Sequence, residues 1–210
     1  LHLVPALPIH HDRRHLEWIE AAMAGYASFL SELGARAGKP LPYRANAILF
    51  RFTRSVGART PSAYASQWTI GWNVAGSLHG SREAVDETLW HEIFHLNDEA
   101  RGGWSSRALA DLHAEVKRRC GEKTACLAPY APGDTMVRGG TYYAFHLDNG
   151  PGEYAAELAV RWRKEHLSVL AGKKLTKKAF KCGPAENLRA WRRFVDEVMS
   201  GVDLVPPCPP

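Results

Sequence analysis

The sequence predicts a single α+β domain, from a long amphipathic helical pattern, two short β-type runs after it, and several further helical patterns downstream. The first pattern spans about His11 to Ala37 and places Leu16, Ile19, Met23, Tyr26, Leu30 and Leu33 at helical spacing. Gly34, Gly38 and Pro40 then stop it. The runs Ala47–Phe52 and Gln67–Val74 are apolar and rich in β-branched and aromatic residues, with a polar loop containing Thr60-Pro61-Ser62 between them.

Ser81 suits an N-cap, with Glu83, Asp86 and Glu87 near the positive end of a second helix that runs to Gly102-Gly103. A third helix is expected from Ser106 to Arg119. The loop-rich stretch Cys120 to Gly150 follows, with five of its glycines and prolines at 129, 132, 133, 139 and 140. A fourth helix opens at Asn149-Gly150-Pro151 and carries Tyr154, Leu158, Val160 and Trp162, since proline is welcome in a first turn. A last helix covers roughly Pro184 to Met199, before a proline-rich tail. The chain thus divides into an N-terminal helix (1–40), a small sheet (41–80), a helix (81–103) and a helical remainder (104–210).

At 210 residues, 45% hydrophobic and 23% charged, the composition is that of a globular domain, which excludes a disordered or fibrous class. The 27 basic and 22 acidic side chains leave +5, a mild bias that a solvated surface accounts for. The basic residues around Lys173–Lys181 and Arg189–Arg193 carry no stacking or recognition motif, so no nucleic-acid partner is expected. Apolar runs are too short and interrupted for a membrane span. The four cysteines lack the two-residue gap of zinc knuckles, and of the three possible pairings Cys120–Cys126 with Cys182–Cys208 is preferred. The even count, with the lack of an initiator Met, points to a secreted or envelope-exposed protein, and a disulfide would then tether the proline-rich tail.

The segment His91-Glu92-Ile93-Phe94-His95 carries the chemistry. Histidines at i and i+4 lie on one helix face and can bind one ion, while the glutamate beside them can deprotonate a water. A catalytic zinc site needs a third protein ligand. The extended form of the motif would put it at position 101, which is Arg101; Asp98 and Asp148 are conceivable. Glu153 is the better candidate: Glu153 and Glu157 stand at i and i+4 on one helix side, so one can ligate while the other orients a ligand histidine.

This pairing of His91-Glu92-x-x-His95 with Glu153-Tyr154-Ala155-Ala156-Glu157 resembles the gluzincin metallopeptidases of the anthrax-lethal-factor-like group, which includes the proline-specific secreted endopeptidases. The resemblance covers about Trp68 to Arg163. It implies a zincin-like domain whose active-site helix carries His91 and His95, with Glu153 as third ligand to zinc and Glu157 as its supporting partner. It also implies a peptide or protein substrate. The family places a tyrosine seven residues before the ligand glutamate, to stabilise the oxyanion; here that position is His146, and Tyr143 is the next choice. Glu92 is the expected general base, and the strand Gln67–Val74 the expected border of the cleft, pairing with substrate backbone. The rival expectations are a catalytically silent metal-binding or toxin-accessory protein, and an amidase acting on cell-wall or other non-peptide amides.

His11 and His15 also share helical i, i+4 spacing, but with no third ligand or base beside them an exposed helix start is the expected reading. Trp72, Trp90, Trp104 and Trp162 are expected in the core or along the cleft.

Overall fold

The computed structural model describes residues 3–56, 61–137 and 139–209, so Thr60 of the expected polar loop and the last proline of the tail lie outside the described residues. Among the described residues the fold is α+β: seven α-helices and a small mixed sheet. The chain forms two compact units, one from Leu1–Glu32 with Arg44–Ala100, the other from Leu33–Tyr43 with Arg101–Pro210.

The first unit contains the sheet. Its strands are β1 (Leu3–Pro5), β2 (Leu49–Ser55), β3 (Ala63–Ser66) and β4 (Thr69–Asn73), in the order β1-β2-β4-β3. Strand β4 runs parallel to β2, with Phe52 beside Trp72, and antiparallel to β3. Gln67 and Trp68, both at positive φ (50° and 57°), make the two-residue turn between β3 and β4. Such turns match the strand twist, and here the strain of two non-glycine residues is met by partners. The Gln67 N–H donates to Glu99 Oε2 at 2.7 Å, and the Arg44 guanidinium lies 3.7 Å from the Trp68 ring centre.

Two expectations change here. The run Gln67–Val74 contributes a shorter strand, because its first two residues form the turn. And β4 is interior to the sheet; the outer strand beside it is β3, so any backbone pairing by an edge belongs to Ala63–Ser66. Neither β1 nor β3 has an apolar run long enough to signal a strand, which is why both escape sequence reading.

Helix α1 (Arg14–Ala37) follows a 3-10 turn at His10–Arg13. Its buried stripe is His15, Ile19, Ala22, Tyr26, Phe29 and Leu33, while Leu16 is 41% exposed. Ile19, Tyr26 and Leu33 are buried as expected, while His15, Ala22 and Phe29 take the places expected for Leu16, Met23 and Leu30; His15, expected on an exposed helix start, is fully buried. Spacing explains this: 15, 19, 22, 26, 29 and 33 advance strictly by four and three, so the histidine falls on the line of the core. Helix α2 (Arg82–Ala100) begins where expected, with the Ala84 N–H donating to Ser81 Oγ at 3.1 Å. Trp90 packs against Tyr26 and Phe29 at 4.9 and 5.9 Å between ring centres, and the Tyr26 hydroxyl donates to the Asp86 carbonyl at 2.7 Å. Near its end, Asn97 exchanges two hydrogen bonds with the Arg44 backbone, at 2.8 and 2.9 Å.

The second unit is helical: α3 (Trp104–Ala108), α4 (Ala110–Cys120), α5 (Thr124–Leu127), α6 (Pro151–Leu170) and α7 (Ala185–Glu197), with 3-10 turns at Tyr143–Phe145 and Phe180–Cys182. The expected helix 106–119 is two helices, broken at Leu109, whose φ of −120° leaves the helical region. Trp104, Trp162 and Phe194 form the core here, and all four tryptophans named above are buried. Both preferred disulfides form, Cys120–Cys126 and Cys182–Cys208, each with Cα atoms 5.3 Å apart. Cys208 and the Lys181 and Trp191 side chains, which both donate to Asp203, tie down the tail. No helix among the described residues is long and apolar enough to cross a membrane.

Candidate metal centre

Helix α2 brings His91 and His95 one turn apart, both half-buried, with their Nε2 atoms 3.1 Å apart. Two nitrogens at that separation are close enough for one ion to take both as ligands. Both rings thus offer the same nitrogen, and their planes stand at 73°. Glu92 lies between them in sequence and is buried at 7% exposure.

Glu153 occupies the first turn of α6, just after Gly150 and Pro151, where the helix dipole favours a carboxylate. His91, His95 and Glu153 are a group that could hold a metal ion. Two imidazole nitrogens and a carboxylate oxygen form a donor set suited to a divalent transition metal.

No family model, curated protein or solved structure matches this chain.

The remaining expected residues lie in the second unit. Glu157 is one turn beyond Glu153 on α6 and buried. Its carboxylate presses on Gly133, where a Cβ would overlap Oε2 and approach Cδ to 2.6 Å. Tyr143 begins the 3-10 turn and His146 caps it. Their segment is held through its backbone: Tyr143 N–H donates to the Thr135 carbonyl at 2.8 Å, and the Asn149 side-chain Nδ2 donates to the Tyr143 carbonyl at 2.8 Å. The His146 ring faces Asp148, with Nδ1 3.8 Å from Oδ2 and accepting weakly from the Asp148 N–H at 3.4 Å. Asp148, one of the alternative ligands, is 91% exposed in its side chain. Arg101 donates to the Pro42 carbonyl at 2.6 Å.

Sequence reading missed how α4 fixes this segment. His113 Nε2 bonds the Ala144 carbonyl at 2.9 Å, so this nitrogen carries the proton, and its ring stacks on Phe145 with 5.4 Å between centres and 10° between planes. Lys117 Nζ donates to the His146 carbonyl at 3.2 Å. Burial is the main cause that lowers the His113 pKa, which keeps the ring neutral in this packing role. The four-residue step from His113 to Lys117 was the available signal: it puts both on one side of α4.

Proposed function

We propose that this chain is a zinc-dependent endopeptidase of the gluzincin type, with zinc held by His91, His95 and Glu153. The observation that carries this reading is that His91, His95 and Glu153 could hold a metal ion, together with a buried glutamate adjoining the first histidine in sequence. Zinc at such a donor set supplies Lewis-acid polarisation and lowers the pKa of water toward about 7.

The chain's own residues do the rest. Glu92 takes the proton of the attacking water and delivers it to the leaving amide nitrogen as the C–N bond breaks. Glu157, one helical turn beyond Glu153, supports a ligand and fixes its orientation. His146 or Tyr143 donates a hydrogen bond to the oxyanion that develops on the scissile carbonyl. The two disulfides are compatible with action outside the reducing cytosol, and we place the protein in a secreted or envelope-exposed setting.

The test is Glu92→Gln. Bound zinc, measured by atomic emission after dialysis, stays near one per chain. Cleavage of a random peptide library, read by mass spectrometry, falls at least a hundredfold to the level of the chelator-treated wild type. Glu153→Ala loses the zinc instead. Cleavage that survives Glu92→Gln refutes the mechanism. A wild-type chain that holds zinc and cleaves no peptide refutes the peptidase reading.

A further inference from the structure

Buried imidazoles outside the metal centre form a second cluster, wholly within the first unit. His15 at the start of α1, Trp72 of β4 and His79 of the turn between β4 and α2 pack together at 0%, 0% and 2% exposure. The His79 ring lies flat on Trp72, 3.8 Å between centres and 3° between planes, and stands 5.7 Å from His15 at 71°.

Hydrogen bonds fix both tautomers. His79 Nδ1 is 3.0 Å from the Asn73 carbonyl, so it carries the proton and Nε2 holds a lone pair. Trp72 Nε1 can only donate, at 3.4 Å, to His15 Nδ1, which leaves the His15 proton on Nε2. Both Nε2 atoms are buried with no hydrogen-bond partner. One is a donor and the other an acceptor. A metal bridging them would have to displace the His15 proton, so the pair is built for the neutral state.

Acid has no comfortable place in this arrangement. A second proton on His15 goes to Nδ1 and confronts the Trp72 N–H, donor against donor. A second proton on His79 puts a cation at the fully enclosed Nε2. The surrounding charges do not compensate: Arg14 and His11 oppose a charge on His15, the Val74 backbone favours it, and the favourable carboxylate, Asp12, is already paired with Arg54 of β2. His79 faces His15 itself and the Asn73 carbonyl. Stacking on Trp72 favours an imidazolium, but less than burial disfavours it. Burial accordingly pushes His79 down to about 4 and also lowers His15.

We propose that the His15–Trp72–His79 stack is an acid-sensitive clamp that joins the start of α1 to the β4–α2 turn and releases them when its imidazoles are protonated. The clamp sits directly before the helix that carries His91 and His95, so its release loosens the entry to that helix. This inference is independent of the peptidase reading, and its test needs no activity.

The full chain is studied with chelator present, so that proton competition for metal does not contribute. Wild-type protein, His79→Phe (which keeps the stack but cannot ionise) and His79→Gln (which keeps a donor for Asn73) are melted by circular dichroism at pH 7 and pH 5. The wild-type melting temperature falls by roughly 4–7 °C more than that of a folded variant. In parallel, ring C–H signals of wild-type histidines are followed by NMR across the same range; those of His15 and His79 do not titrate near 6.5 while the chain is folded. An equal acid loss in the variants overturns the proposal. So does titration of either ring near 6.5 in the folded wild type, a result that stands even if both variants fail to fold.

Discussion

Replacing Gly133 by alanine tests the seat of Glu157 directly. The added Cβ would overlap Glu157 Oε2, and the carboxylate is buried at 8% exposure, so the side chain must take another rotamer within a packed site. Overpacking of this kind costs about 1–3 kcal/mol, offset by about 0.4–1 kcal/mol because alanine restricts the unfolded chain. The net loss is about 1–2 kcal/mol, or roughly 2–8 °C in melting temperature for a chain of this size. The assay is a double-mutant cycle with Glu157→Ala, read by thermal melts. In the Glu157→Ala background the offending oxygens are gone, so Gly133→Ala costs close to nothing there. Zinc affinity, measured by competition with a fluorescent chelator, adds the functional arm. If Glu157 supports a zinc ligand, Gly133→Ala and Glu157→Ala each weaken binding about 10–100-fold. The geometry is refuted if Gly133→Ala costs the same in both backgrounds. The supporting role is refuted if stability falls and zinc affinity does not.

Two further perturbations give graded outcomes. Removing Cys182–Cys208, which closes 26 residues, costs about 3.5 kcal/mol, and removing Cys120–Cys126, which closes 6, about 2 kcal/mol; serine pairs compared by urea titration should keep that order. His166 is fully buried, donates from Nδ1 to the Trp162 carbonyl at 2.8 Å and accepts from the Leu204 N–H at 3.0 Å, so both nitrogens are used in the neutral ring. Burial lowers it to about 4 against Asp203, which favours the charge. A folded value below the unfolded one means that the unfolded chain binds more protons between about 6.5 and 4. The stability held above 6.5 is lost progressively across that window, on the order of 3 kcal/mol. In His166→Gln, this part of the pH dependence of the urea midpoint disappears; an unchanged slope rejects the assignment.

Much of this protein is legible in its sequence because it depends on local spacing. The i, i+4 histidines of α2, the Ser81 cap, the Gly150-Pro151 start of α6 and the Glu153–Glu157 step are periodicities of a single helix, fixed before any packing occurs. The α+β class follows from the same short-range patterns, and the disulfides form in the preferred one of the three pairings that the sequence left open. Other features needed the tertiary structure because they depend on what lies opposite. Strand β3 carries too few apolar residues to announce itself, and its pairing with β4 is what moves the expected edge strand into the sheet. His15 looked like an exposed residue of a helix start until Trp72 and His79 closed over it. Gly133 has meaning only against Glu157, 24 residues away in the chain. The sequence determined which side chains share a helix face; only the fold decided which faces are buried and which groups meet there, since burial is a property of the assembled neighbours and not of spacing.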